Sequence, residues 1–441
     1  MRNSKKILKT GVKIIAFALL CLIVTGILSE LFEPPRATSR IAIHEMYTQE
    51  SMDIALVGAS RFRRCIDPAV LDEKLGVDTF VTSYGSQTPI DSYYMLREIY
   101  KSYTPELVVL DMSFNTFNIR ETSPADVIIP EIKPSLDKYR YFFDSLPLNK
   151  YLGTLLPVFS SYAQNQLMAD SFSVLDNVKT KHSDEYKNYD YSFGSNSVST
   201  YMGKGFLANS KQLTDGRAGK MSTVKWLLED VNPKKLDFYE KTIEMCKRNG
   251  SRVIIIDTPT PFAGMVSQKA YADYEEFTTE FAKKHDVPFY NLCYLKTEVF
   301  ERRDSYFYDR KHASAIGAKA FSGVLAGFLR DCLNGTLRES DYLYASYEET
   351  MAANPIIFNT WLVYDEKAKT MIANAWHGTG VTPEFRFSYK LEKEDSYEVI
   401  QNYSVNKVFS VKDYRKGYIR IDCRRVGSEV KWEQYNELKF D

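Results

Sequence analysis

The 441-residue chain has little that would commit it to metal, disulfide or nucleic-acid chemistry. Its six cysteines, Cys21, Cys65, Cys246, Cys293, Cys332 and Cys423, stand apart, and no two form a C-x-x-C pair. Neither a zinc site nor a disulfide framework is therefore expected, and nothing calls for another metal or a cofactor. An excess of charge is also missing, with 57 basic side chains against 57 acidic ones and no long run of one sign. That balance argues against a nucleic-acid partner. Histidine is scarce too: only His44, His182, His285, His312 and His377 are available for acid–base work.

What is present starts at the N-terminus. Arg2, Lys5, Lys6, Lys9 and Lys13 precede an uncharged apolar run from Ile14 to Leu28. Fifteen residues fall short of the ~20 that span a bilayer, but Gly11, Val12 and the stem of Lys13 extend the run. A signal peptide is the rival reading, yet Thr25-Gly26-Ile27-Leu28-Ser29-Glu30 makes a poor cleavage site. Residues 1–33 are read as an uncleaved single-pass anchor in the plasma membrane. The basic flank stays in the cytoplasm and the bulk of the chain lies outside. Glu33 to Glu50 reads as a linker stiffened by Pro34-Pro35.

Length alone implies two or more domains. Ile54-Ala55-Leu56-Val57, Val77 to Ser83 and Leu107-Val108-Val109-Leu110-Asp111 are short apolar runs separated by helical stretches. The first such stretch opens at Asp67-Pro68, an N-cap followed by proline at the first helical position, and the second runs from about Ser92 to Ser102. Pro233 to Arg248 (helix), Arg252 to Asp257 (strand), Lys269 to His285 (helix), Val287 to Leu292 (strand) and Ser314 to Cys332 (helix) resume the alternation. Strands of this kind, buried on both faces, belong to the parallel sheet of an α/β fold. The α/β region is placed at 34–335, interrupted by an insertion at about 116–232 of mixed helix and coil that would serve as a lid or substrate wall. From 345 to 441 the runs Trp361-Leu362-Val363-Tyr364, Thr370 to Ala375, Phe385 to Lys390, Tyr397 to Tyr403, Lys407 to Val411, Tyr418 to Cys423 and Glu429 to Trp432 recur about every ten residues, as in a small all-β sandwich.

The chemistry is sought where a strand ends. Gly58-Ala59-Ser60 stops the first strand abruptly and leaves Ser60 beyond its carboxyl end, where ligands bind in open α/β sheets. The same three residues also suit an ordinary small-residue turn. A serine hydroxyl is a weak nucleophile until a base removes its proton, and the usual base is a histidine oriented by a carboxylate. His44 falls in the linker, His182 in the insertion, His285 at a helix end and His377 in the β-rich tail. Only His312 follows the last α/β strand and opens a helix on the sheet edge expected for Ser60. Asp309, three residues earlier, is placed to reach the ring nitrogen that faces away from the serine.

Together these pieces resemble the SGNH (GDSL-type) hydrolase family, whose serine block follows the first strand and whose late block reads Asp-x-x-His. Here the blocks are Gly58-Ala59-Ser60, with Ala59 where the family usually has Asp, and Asp309-Arg310-Lys311-His312. The resemblance implies a flavodoxin-like three-layer α/β/α domain. It also implies an oxyanion hole made by the Ser60 amide, Gly85 after the second strand, and Asn115 in Asp111-Met112-Ser113-Phe114-Asn115, where the third block lacks its glycine and second acid. An anchor followed by such a domain is similar to membrane-anchored bacterial cell-surface branches of the D-alanyl-lipoteichoic-acid biosynthesis and polysaccharide O-acetyltransferase type.

The expectation is a serine esterase or O-acyltransferase that acts outside the cytoplasm on acyl or acetyl esters of a cell-surface glycan or lipid. A membrane acyl-transfer partner would supply the group in the transferase case. The competing expectation is a non-catalytic surface binding or assembly protein that keeps the fold and binds glycan through its β domain.

Overall fold

The computed structural model describes residues 2–33, 35, 38–120, 123–160, 168, 173–414 and 416–440. Pro34, half of the expected proline stiffener, lies outside the described residues.

Five strands form the parallel sheet: β1 (Ile54–Gly58), β2 (Thr79–Ser83), β3 (Leu107–Asp111), β4 (Arg252–Asp257) and β5 (Phe289–Asn291), in the order β2-β1-β3-β4-β5. The pleat explains why these runs are almost continuously apolar. Ile54 and Leu56, Leu107 and Val109, and Ile254 and Ile256 point into one core. Ala55 and Val57, Val108 and Leu110, and Val253 and Ile255 point into the other. Helices Ser60–Cys65, Pro68–Leu75 and Ala315–Asn334 cover the first face, while Pro89–Ile99 and Pro233–Arg248 cover the second. Their ends follow local chemistry: Asp67, Asn232 and Ser314 cap helix N-termini, and Gly76 and Gly335 end helices in left-handed backbone.

From β1 the chain steps to β2 on one side and returns to β3 on the other. The crevice at that reversal, beyond the carboxyl ends of β1 and β3, is where ligands bind in such sheets.

Several expectations need correction. Glu33 to Glu50 is not simply a linker, because Thr38–Thr48 is a helix with Ile41, Ala42, Ile43 and Met46 buried. Its apolar residues are claimed by two neighbours, Met46 by the second core and Ile41 by Tyr201 and Leu207 of the insertion. Within 116–232, a stretch read as helix and coil contains an antiparallel hairpin, Ser199–Gly203 with Phe206–Asn209. Its turn closes the exposed edge of β2: the Val81 N–H donates to the Lys204 carbonyl at 3.0 Å. Gly205, at φ +83°, lies so close that a Cβ would fall 1.8 Å from the Val81 oxygen. Short helices and glycine turns masked this pairing in the sequence.

The C-terminal strands are β6 (Ile357–Asp365), β7 (Thr370–His377), β8 (Pro383–Lys390), β9 (Glu398–Ser404), β10 (Val408–Ser410), β11 (Gly417–Arg425) and β12 (Gln434–Phe440). They make two antiparallel sheets, β6-β7-β10 and β9-β8-β11-β12, that share one apolar cluster including Leu362, Met371, Phe387 and Ile421. The last strand is Gln434–Phe440 rather than Glu429–Trp432, because Gln434 to Phe440 pairs with β11 along its whole length.

Arg2–Phe32 is one helix, and its stretch Lys9–Phe32 is long and apolar enough to cross a membrane. At about 1.5 Å per residue, its 24 residues reach roughly 36 Å.

Beneath the crevice lies a buried polar cluster. Arg61 Nη1 approaches Asp257 Oδ1 at 2.6 Å, and both side chains are almost fully enclosed. Burial alone would lower the Arg61 pKa, but the charge of Asp257 outweighs it and keeps the guanidinium ionised. Asp111, between them at the end of β3, accepts a hydrogen bond from the Ala59 N–H at 3.3 Å. Burial pushes the Asp111 carboxyl up to about 7, with Arg61 opposing the shift and Asp257 adding to it.

Two outcomes are expected. A Cβ on Gly58 would meet the Asp111 Cβ at 2.4 Å and the Phe62 ring at 3.0 Å. Gly58→Ala should therefore cost about 1–3 kcal/mol, read as a lowered thermal midpoint. For Asp111 the folded pKa exceeds the unfolded 3.8, so folded protein holds the extra proton between pH ~4 and ~7. Its contribution to stability is complete below that window and falls through it by up to about 1.4 kcal/mol per pH unit. Asp111→Asn should flatten that part of the melting-temperature profile between pH 4 and 8.

Candidate active site

Ser60 begins the helix that follows β1, with Ala59 in extended backbone before it. As the first helical residue its N–H has no partner in the preceding turn, so both amide and hydroxyl are presented at the crevice. The Ala59 carbonyl is held by the Ser83 hydroxyl at the end of β2. Its N–H is held by Asp111 at the end of β3. The turn that carries Ser60 is thus pinned to both neighbouring strands.

The facing wall comes from a tight loop before helix Ala315–Asn334. Phe307 pairs with Ala313, and the Tyr308 N–H donates to the His312 carbonyl at 3.1 Å. Asp309 Oδ1 accepts from the Lys311 and His312 backbone N–H groups at 2.7 and 2.9 Å, which fixes the carboxylate inside the loop. Gly317 lets the next helix press against this region, since a Cβ there would sit 1.8 Å from the Tyr306 carbonyl oxygen.

These two constructions meet. Ser60 Oγ lies 2.8 Å from His312 Nε2, and His312 Nδ1 lies 2.9 Å from Asp309 Oδ2. Tyr308 stacks on the imidazole with ring centroids 5.4 Å apart and planes 9° apart, which limits its rotation. The His312 side chain is 18% exposed and that of Asp309 43%. Burial would raise the Asp309 pKa, but hydrogen bonding and charge from His312, with the two backbone donors, hold it below the usual carboxylate range. An ionised acceptor on Nδ1 leaves Nε2 free to accept the serine proton.

The other histidines are engaged elsewhere. His44 stacks on Tyr189, His182 meets Glu30, His285 meets Glu240, and His377 contacts the Gly378 carbonyl.

A cavity of about 260 Å³ opens beside Ser60 and His312. Asn115 lines it, on the turn after β3, and its side chain makes no hydrogen bond among the described residues. Gly85 does not line it: the chain turns left-handed at Ser86 (φ 58°), and Ser86, Gln87 and Thr88 take that wall instead. Gln87 fixes this loop, accepting from the Tyr84 N–H and donating to the Thr82 carbonyl and Ser92. Of the residues the sequence pointed to, Ser60, His312 and Asn115 line one cavity, and Asp309 stands behind His312, bonded to its Nδ1. Sequence reasoning passed over Arg61, Asp111 and Asp257, although an Asp closing each of two buried strands was visible.

A second cavity of about 460 Å³ adjoins the first through Asn115 and Lys311. Lys220, Arg310 and Lys311 line it, with no carboxylate among its lining residues. Its strap is held by the C-terminal sheets. The Ala218 N–H donates to the Tyr435 carbonyl, the Tyr435 N–H donates to the Gly216 carbonyl, and Asn359 bonds Gly219 in both directions. No candidate metal cluster of three or more His, Cys, Asp or Glu side chains occurs among the described residues.

No family model matches the chain, and no curated protein matches it by sequence. Among solved structures it is similar to a candidate acylhydrolase from Bacteroides fragilis NCTC 9343, with 12% identity, 67% of this chain and 95% of the other covered, and a TM-score of 0.32. It is similar to a GDSL-like lipase from Bacteroides thetaiotaomicron VPI-5482 at 11% identity, covering 68% and 98%, with a TM-score of 0.30. A candidate lipolytic protein of the G-D-S-L family from Desulfitobacterium hafniense DCB-2 gives 10%, 62%, 98% and 0.28. Likeness at this level adds nothing to what the geometry of the site itself carries.

Proposed function

We propose that the chain is a serine ester hydrolase or O-acyltransferase, tethered by its N-terminal helix and working on acyl or acetyl esters of a cell-surface glycan or lipid. The observation that carries this reading is the continuous chain Ser60 Oγ, His312 Nε2, His312 Nδ1 and Asp309, with contacts of 2.8 and 2.9 Å. Both lie within the ~2.6–3.2 Å reach that proton transfer requires.

Ser60 Oγ attacks the acyl carbon while His312 Nε2 takes its proton. The tetrahedral intermediate collapses, the alcohol leaves with that proton, and an acyl-Ser60 ester remains. Water, or an acceptor alcohol, then gives a proton to His312 as it attacks the acyl carbon; the second tetrahedral intermediate collapses, His312 passes that proton to Ser60 Oγ, and the free acid or the new ester is released. Asp309 holds the histidine tautomer and stabilises the imidazolium. The Ser60 amide and the Asn115 side chain serve the oxyanion, with the backbone next to Gly85 contributing through Ser86. Loss of one such donor typically costs ~3 kcal/mol of transition-state stabilisation.

In this reading residues 34–335 form the catalytic domain and 345–441 an accessory β domain. The basic flank before Lys9–Phe32 supports a cytoplasmic N-terminus and an extracytoplasmic site.

The test uses full-length protein in detergent with 4-nitrophenyl acetate and a fluorophosphonate probe. Wild type should hydrolyse the ester and be labelled. Ser60→Ala should lose labelling, and Ser60→Ala and His312→Ala should each lower kcat by about 10⁴-fold or more. Labelling of Ser60→Ala at the wild-type level would exclude Ser60 as the nucleophile. Absence of both labelling and turnover in wild type would favour binding without catalysis.

A further inference from the structure

The insertion carries an apolar face that the core does not use. In helix Leu136–Ser145, Leu136, Tyr139 and Phe143 are 76%, 58% and 63% exposed. In helix Leu148–Leu155, Leu148, Leu152 and Leu155 are 81%, 57% and 60% exposed. The spacings i, i+3, i+7 and i, i+4, i+7 place each trio on one side of its helix. The remaining sides are committed inward, and Phe143 also meets the Tyr151 ring, with centroids 5.8 Å apart. Tyr141 and Phe142 are buried, Tyr151 packs on the second core, and Lys150 pairs with Asp126 at 3.1 Å. Six large apolar side chains on two consecutive helices make more than the scattered exposure normal for a soluble surface.

The same insertion also holds the end of the apolar N-terminal helix. The Asn177 side chain donates to the Leu31 and Glu33 carbonyls, and Lys181 Nζ donates to those of Ser29 and Glu30, both at 2.9 Å. The one-turn segment Pro157–Phe159, directly after Leu148–Leu155, packs against that helix as well. Helix Leu148–Leu155, which carries one of the exposed trios, therefore runs directly into a segment seated against the apolar helix near the end from which the chain leaves it.

We propose that helices Leu136–Ser145 and Leu148–Leu155 lie in the outer-leaflet interface of the bilayer, their six exposed apolar side chains inserted among lipid acyl chains beside the anchor. This rests on the reading of Lys9–Phe32 as a membrane span. Helices with a strong apolar face and a polar back bind at that depth. A rigid connection to the site follows from the packing. The Tyr141 hydroxyl donates to Asp91 at 2.7 Å, and Asp91 caps the helix whose first residues, Pro89 and Ser92, line the catalytic cavity. The cavity is thereby held at a set position relative to the lipid surface.

The test reconstitutes the full chain into phosphatidylcholine nanodiscs containing a diazirine-bearing phosphatidylcholine, with adducts mapped by mass spectrometry. Adducts in 136–155 as well as in 9–32 are expected. Adducts in 9–32 alone would overturn the interfacial helices while leaving the anchor intact. Adducts in neither would overturn both. A second measurement places a spin label at Leu152→Cys, with Glu244→Cys as a water-facing reference, in a Cys21→Ser background. Label 152 should be at least fivefold more accessible to oxygen, relative to a nickel chelate, than label 244. Equal ratios would overturn the proposal. So would a label shielded from both reagents, which would mean that protein covers this face.

Discussion

The ion pair between Arg61 and Asp257 fixes the geometry on which the rest depends. Arg61 follows Ser60 directly, and Asp257 closes β4, two strands away in the sheet with β3 between. The guanidinium is buried there against Asp257, with Asp111 adding a further favourable charge, so rotating the first turn after β1 would strand a charge in a dry interior. Breaking such a pair by removing one partner is strongly destabilising, typically by about 3–5 kcal/mol. Ser60 inherits its orientation from this bolt. The sheet thus holds the serine by its neighbour, and the serine's own hydroxyl is left for His312.

Around that bolt, bracing comes from parts of the chain that a minimal α/β domain would lack. The hairpin at 199–209 seals the edge of β2, and its Ser199 accepts a hydrogen bond from Arg64, which lies on the nucleophile helix. The insertion reaches Asp91 through Ser123 and Tyr141, steadying the loop that carries Gln87 and Thr88. The C-terminal sheets secure the strap beside Arg310. The insertion and the C-terminal sheets thus steady walls of the two adjoining cavities, while the hairpin braces the sheet edge and the helix that begins at Ser60.

Much of this was legible in the sequence, for physical reasons that differ from element to element. Strands buried on both faces show up as unbroken apolar runs, so β1, β3 and β4 declare themselves. Asp67-Pro68 and Ser314 mark helix starts because capping is local. Asp309 and His312 were legible as a pair because a three-residue loop spacing is enough to bring carboxylate and imidazole together. Long-range steric fit was not. Nothing in the letters Tyr84-Gly85-Ser86 says which residue turns left-handed and so which one faces the cavity. The hairpin's seat was hidden because its turn docks on an edge strand more than a hundred residues earlier, Val81 of β2 meeting Lys204. Thr38–Thr48 looked like a tether because its apolar residues are shared between two clusters, which weakens the single-face period that marks an amphipathic helix. Arg61, Asp111 and Asp257 read as strand and helix ends until the fold brought them together.

The strap at Gly216–Gly219 has a consequence for the order in which the molecule is assembled. During synthesis Ser60 emerges 252 residues before His312, so the Ser60–His312 contact waits for β4, β5 and the loop after them. The cationic cavity waits longer still, because the carbonyl that holds Ala218 belongs to Tyr435 in β12. A nascent chain therefore holds both residues of the Ser60–His312 contact before it holds the strand that fixes the wall of the adjoining cavity. The two cavities are thus completed by parts of the chain synthesised at different times, and the second depends on the last β strand to be synthesised.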